Sequence, residues 1–289
     1  MARKNAALAD IARYRWWRWF LMTTLFFPLL VHAQKEPLPD KFQIQVGEFF
    51  VTRTQTTVSL AATSGVAAAG TILNFEQDLG LSSRESVPRI DGYYRFGKRS
   101  RVDFSYFNIE RSGVATTGDE PIDFGDITIP PNTPFVQSFF NEEVLKATYG
   151  LSFYNTPKAE MGLSAGLFVA NIGVGMAAPT VDLSDSAKGT APLPVVGAYL
   201  RYNISRRWRF IAKGDFFYLV VGDYQGSLVD LRLNLEHQTF KNVGFGFGYN
   251  GIQTSLDATD GDLSGSFQNT ISGVQAYVFG AFGKAKYQR

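Results

Sequence analysis

The sequence holds no cysteine and only two histidines in 289 residues. The first absence excludes a disulfide scaffold and a cysteine-ligated zinc or iron–sulfur centre. The second leaves little for imidazole-based metal or acid–base chemistry. Charged residues are scarce too, at 19% against roughly 25% in an average soluble domain. No stretch reaches the ~20 consecutive apolar residues of a spanning helix, so a helical membrane bundle is excluded. What is plentiful is Phe (25), Tyr (13) and Gly (28). Aromatic wealth with a net charge of only +2 excludes an intrinsically disordered chain.

Residues 1–33 read as a secretory signal peptide. Arg3, Lys4, Arg13, Arg15 and Arg18 form its basic part, Phe20 to Val31 its apolar run, and Val31-His32-Ala33 a cleavage pattern ahead of Gln34. Removal would take five of the 28 basic and one of the 26 acidic residues, moving the formal charge from +2 to −2. Nucleic-acid binding, which calls for a basic domain, loses its support. His32 leaves as well, so His237 is the mature chain's single histidine.

From Phe42 onward the pattern is alternation at period two. In Val229-Asp230-Leu231-Arg232-Leu233-Asn234-Leu235-Glu236 the aliphatic residues hold the odd positions, the charged and amidic ones the even. A strand puts these sets on opposite faces, whereas a helix would mix them. The pattern recurs in Leu145–Phe153, Glu160–Val169, Trp208–Tyr218 and Val243–Tyr249. Nine strands are predicted from Arg89 on: Arg89–Phe96, Arg101–Arg111, Phe139–Tyr154, Glu160–Gly175, Leu193–Ile204, Trp208–Val221, Leu228–His237, Val243–Ser255 and Phe267–Phe282. The segment Phe42–Phe75 supplies either one strand, Phe42–Thr54, or three: Phe42–Arg53, Thr56–Ala62 and Gly70–Phe75. Thr57-Val58-Ser59-Leu60 and Thr71–Phe75 look strand-like, which favours three.

The connections alternate in length. Gly97–Ser100, Asn155–Lys158, Ser205–Arg207 and Thr239–Asn242 are short, and Ser112–Val136, Ala177–Ala191, Gly222–Gly226 and Leu256–Ser266 are longer and polar. Short periplasmic turns and long outer loops are the habit of a transmembrane barrel. Aromatic residues gather toward strand ends, as in Tyr93-Tyr94, Phe153-Tyr154 and Trp208, where amphipathic rings suit a membrane interface. The expected fold is therefore all-β: an antiparallel up-and-down transmembrane β-barrel of 12 strands, with 10 as the alternative, formed by residues 34–289 as one domain.

In such a barrel the polar faces line the lumen. They carry Arg89, Asp91, Arg95, Asp103, Lys146, Glu160, Arg201, Lys213, Asp215, Asp230, Arg232 and Glu236, six basic and six acidic residues. Mixed signs predict an internal salt-bridge network, since unpaired charge there is costly. A selective pore would favour one sign. Gly162–Gly166 and Gly244–Gly248 leave room for long side chains opposite or for a narrow water path. The short turns are basic (Lys98, Arg99, Lys158, Arg206, Arg207, Lys241), and the long loops acidic. Asp257-Ala258-Thr259-Asp260-Gly261-Asp262 lacks the full spacing of a calcium loop. A serine nucleophile needs a base, usually His, and His237 sits beside a short turn on the lipid face. No catalytic, cofactor or metal residues are predicted.

The block Gly70-Thr71-Ile72-Leu73-Asn74-Phe75-Glu76-Gln77-Asp78-Leu79-Gly80-Leu81, followed by Tyr94-Arg95-Phe96 and Arg101–Tyr106, resembles a group of largely uncharacterised outer-membrane β-barrel proteins of Gram-negative bacteria. The resemblance covers mostly the first half of the chain. It implies fold and location but no activity. Many such barrels end on an aromatic residue read by the barrel assembly machinery, whereas here seven residues follow Phe282. The expected function is a non-enzymatic, integral outer-membrane barrel with a lumen filled by paired charges and a structural or surface-interaction role. Its expected partners are outer-membrane lipid, lipopolysaccharide and the assembly machinery. The alternatives are a narrow channel for small solutes and a soluble periplasmic lipid-binding barrel.

Overall fold

The computed structural model describes residues 40–60, 70–222, 224–258 and 265–284. The predicted signal peptide lies outside the described residues. Strands run β1 (Phe42–Leu60), β2 (Leu73–Asn74), β3 (Glu85–Arg95), β4 (Ser100–Ala115), β5 (Ile122–Phe124), β6 (Ile127–Ile129), β7 (Val136–Asn155), β8 (Ala159–Ala178), β9 (Leu183–Asn203), β10 (Trp208–Val221), β11 (Tyr224–His237), β12 (Val243–Ala258) and β13 (Gly265–Phe282). Ten of them, β1, β3, β4 and β7 to β13, pair antiparallel in order, and β13 returns to β1 to close a barrel. β2 adds to the outer end of β1, where β3 has already let go at Val51, and β5–β6 form a separate hairpin.

The expectation of twelve strands is thus corrected to ten. The cause is a bulge between Val51 and Arg53 in β1. Below it Phe49 and Val51 face inward; above it Thr54, Thr56 and Val58 do. An extra residue moves the inward set from odd to even numbers, so one strand reads as two. Gly70–Phe75 leaves the wall instead of crossing it. Two predicted loops are also mostly strand: β9 begins at Leu183, and β10 and β11 are joined across Gly222 and position 223. Ser184–Lys188 has Ser, Ser and Lys on one face and only Asp185 and the small Ala187 on the other, so no clear alternation marks it as strand.

Burial is inside-out for a soluble protein. Leu145, Leu151, Leu163, Leu167, Val229 and Val278 point outward and are exposed, while Arg95, Lys146, Glu160 and Asp230 are buried inside. Water cannot wet the outer face without losing the hydrophobic term, so this face belongs in hydrocarbon. Its outer margin is a polar chain on the exterior: Tyr106 and Asn171 bond Glu143 at 2.9 and 3.0 Å, and Thr190 bonds Asn171 at 2.8 Å. β7 and β8 have 20 residues each, whereas ~9–11 tilted residues cross a bilayer. The wall therefore stands well beyond the outer margin.

Candidate functional site

The lumen fills in layers. At the end with the short turns, Glu160 of β8 gathers three guanidinium groups. Arg95 meets it through two parallel bonds of 2.8 and 2.9 Å, Arg201 at 2.9 Å and Arg101 at 3.7 Å. Asp40, just ahead of β1, takes two bonds from Arg201, one from Tyr93, and lies 3.4 Å from Arg95. Tyr199 stacks on Arg101 at 3.8 Å and bonds Ser152 at 2.9 Å. Its ring lies over Gly162, where a Cβ would come within 2.2 Å of the phenol. Tyr277 covers Gly246 in the same way. The small residues on these strands make room for large ones opposite. Glu236 accepts from Gln43 (2.8 Å), Gln45 (3.1 Å), Tyr277 (3.1 Å) and Arg209 (3.4 Å).

Burial alone would raise the Asp40 carboxyl, but Arg201, Arg95 and Arg209 outweigh it and hold its pKa at about 2, below the ordinary 3.8. A depressed carboxylate stabilises the fold above its unfolded pKa and loses that contribution as pH falls through the folded one. Asp40→Asn is therefore expected to cost about 2 kcal/mol at pH 7. The difference from wild type should shrink below pH ~4 and vanish near pH 2. Urea unfolding in micelles across this range checks it.

The next layer centres on Lys146, which bridges Asp215 at 2.9 Å and Asp230 through a second bond. Asp215 and Asp230 face each other in register on β10 and β11. Asn250 links Asp230 (2.7 Å) to Arg89 (2.6 Å), and Arg89 and Arg232 share Asp91 at 2.9 and 2.7 Å. Lys213 bonds Thr148 at 2.8 Å and lies 3.8 Å from Asp215; Asp103 holds Arg101 at 3.0 Å. All twelve predicted lumen residues sit inside the barrel, but the pairing differs in detail. Alternation places Arg95, Lys213 and Arg232 where they can meet Asp91, Asp215, Asp230 and Glu236; Arg232 meets Asp91 and Lys213 lies near Asp215, but Arg95 meets Glu160 and Asp40. Asp40, Arg101 and Arg209 join this network and were not among the predicted lumen residues. A cavity of about 60 Å³ remains beside Asp91, Lys213 and Arg232, room for about two waters.

Above the charges the lumen turns apolar. Phe49, Phe107, Phe168, Leu193, Leu228 and Ile252 reach inward from six strands into one buried belt. The Arg89 guanidinium lies 4.9 Å over Phe107, joining the two layers. Alternation had assigned apolar side chains to lipid alone. The overlooked signal is local: Phe49-Phe50-Val51 and Leu167-Phe168-Val169 are apolar on both faces.

Two outer loops pack together at the far end. Leu73, Phe75, Leu79 and Leu81, with Ile122, Phe124 and Ile129 of the β5–β6 hairpin, pack on Val58, Phe140 and Met176. The loops interlock through Thr71, which donates its amide to Asp123 and accepts that residue's amide on its hydroxyl, both at 2.9 Å. Arg111 anchors the cap to Glu76 and stacks 4.7 Å over Phe140. The block Gly70–Leu81, which carried the family resemblance, is the greater part of this cap.

His237 lies outside the lumen. It packs between Trp208 (4.7 Å) and Phe245 (5.3 Å) on the outer face beside a short turn. Among the described residues no group of His, Cys, Asp or Glu is arranged to hold a metal. Residues 259–264 of the Asp-rich loop lie outside the described residues.

No protein-family model matches the chain, and no curated protein matches it. Among solved structures, the outer-membrane protease OmpT from Escherichia coli is similar, with 11% identity over 86% of this chain and 99% of that one and a TM-score of 0.53. More distant are the translocator domain of autotransporter NalP from Neisseria meningitidis (10%; 96% and 97%; TM-score 0.39) and the attachment invasion locus protein Ail of Yersinia pestis (10%; 82% and 97%; TM-score 0.36). At such identities the likeness is one of fold. That fold, with the apolar exterior and charged interior, defines an integral outer-membrane β-barrel. Among the described residues its wall has ten strands, with the short β2 paired beside β1 and the β5–β6 hairpin separate.

Proposed function

We propose that this protein is a sealed, non-enzymatic outer-membrane barrel whose role lies in structure and in presenting its outer surface. The reading rests on one observation: paired charges and, above them, a buried apolar belt fill the lumen in two successive layers, with the interlocked cap beyond. Paired charges inside a barrel brace facing strands and leave no run of one sign to select an ion. The apolar belt adds a layer that neither ions nor sugars cross without losing their water. OmpT's protease activity does not carry over at 11% identity. Vesicles containing the purified protein are expected not to swell in isosmotic solutions of small sugars. Swelling at the rate of an open pore contradicts the sealed reading.

The non-enzymatic part has its own test. The purified barrel is expected to release no fatty acid from phospholipid or lipid A. Release that His237→Ala abolishes would show a hydrolase.

A further inference from the structure

Between β9 and β10 the barrel wall is only partly zipped. The two strands pair from Asn203↔Arg209 to Val196↔Phe216 and no further, although β9 continues to Leu183 and β10 to Val221. On its other side β9 stays paired with β8 as far as Leu183, and β10 stays paired with β11 to the hairpin. A seam therefore opens above Val196. Its cause is in the sequence. The Asn203 amide donates to the Lys158 carbonyl, on the β8 side, and β9 meets β8 without a register shift. Even-numbered amides of β9 then face β10. Pro192 and Pro194 hold even positions and have no amide hydrogen. Both missing donors fall on the β10 side, the placement proline takes on an edge strand.

The seam has a definite height. Pro194 is opposite Leu167 and Pro192 opposite Val169, the last apolar outward residues of β8 before Asn171. The seam thus starts inside the apolar band, at its outer margin. A bare strand edge is disfavoured in hydrocarbon unless it lines a cavity, and a cavity lies behind this one. It measures about 530 Å³ and its lining is mainly apolar, with Leu193, Phe217, Leu256 and Phe267 in it, and Lys188, Gln225 and Asp257 among its polar residues. The apolar belt is its floor, since Ala191, Phe217 and Leu256 pack against that cluster. The volume is that of a small-molecule site. A polar solute would surrender its water there for few hydrogen bonds. A hydrocarbon chain would exchange one apolar medium for another.

We infer that this cavity takes the acyl chain of an outer-leaflet lipid, which enters sideways through the seam between β9 and β10. The sealed lumen below stops the chain from passing further, so the site is a pocket open to the membrane. The inference rests on the barrel spanning a bilayer and adds a ligand to the sealed reading.

The test uses the whole protein in vesicles containing a phospholipid with a photoreactive group at the end of its acyl chain. Labelled residues are mapped by mass spectrometry. Label is expected on inward-facing Leu193, Phe217 and Leu256 as well as on outward-facing Leu163 and Leu233. Gly189 lines the cavity, and a Cβ there meets open space, so Gly189→Trp can fill it without a clash. This variant is expected to lower the interior label by roughly tenfold, about 1.4 kcal/mol of binding, and to leave the exterior label unchanged. Heat-modifiable gel migration reports that the variant is folded. Wild-type label confined to outward positions overturns the acyl-chain pocket, whether or not the variant folds. Interior label unchanged in folded Gly189→Trp overturns it too. Loss of label from Leu163 and Leu233 together with the interior would overturn the membrane-spanning reading itself.

Discussion

Glu160→Gln is expected to destabilise the barrel by about 3–5 kcal/mol, the cost of removing one partner from a buried ion pair. Glu160 is the shared acceptor of Arg95, Arg201 and Arg101, and its side chain is 1% exposed. The amide keeps the shape and loses the charge. Arg95 and Arg201 would then depend on Asp40, and Arg101 on Asp103. Glu160→Asp, which keeps the charge on a shorter stem, should cost less than Glu160→Gln. Urea unfolding followed by heat-modifiable migration measures both. A loss below about 1 kcal/mol in Glu160→Gln would mean that water reaches these arginines, because only solvated pairs are worth so little.

Lys146→Met is expected to cost a similar amount, about 3–5 kcal/mol, for a different reason. Asp215 and Asp230 are directly opposite on neighbouring strands, an arrangement that destabilises a sheet when both carry the same charge. Lys146 neutralises the pair from β7, across the lumen. Without it the two carboxylates repel each other in a buried site, and Lys213, 3.8 Å from Asp215, compensates only partly. Adding Asp230→Asn to Lys146→Met removes one of the like charges and is expected to restore most of the loss. Replacing both members of a buried pair is often close to neutral, whereas replacing one is not. Additive losses in the double variant would show that Lys146 and Asp230 do not interact.

Much of this fold was legible in the residues. Period-two alternation in Val229–Glu236 and Glu160–Val169 set strand identity and facing, because one face meets lipid and the other the lumen. Those same faces named twelve of the lumen charges. The signal failed where the two environments stop differing. In β1 the bulge at Val51 shifts the parity. At the belt, Phe49 and Phe168 are apolar on the inward face beside apolar neighbours facing out. Beyond the outer margin Ser184, Ser186 and Lys188 are exposed, and the opposite face offers only Asp185 and the small Ala187. The cap was misread because Leu73 and Phe75 look like residues of a wall strand, whereas only the two-residue β2 forms there and both side chains are buried in the cap. Asp40 escaped because it precedes the first alternating residue. The seam had a signal that was there to be used: two prolines at the same parity within β9.

The sealed lumen is the central claim, and single-channel recording of the wild-type barrel in a planar bilayer tests it most directly. Ten strands lie between the ~8 that side chains fill and the 16–18 that leave an aqueous channel, so width alone does not decide and the lining does. The account predicts a quiet trace with no stable steps, in either polarity, at low and high salt. Steady nanosiemens-scale steps from folded wild-type protein would contradict it.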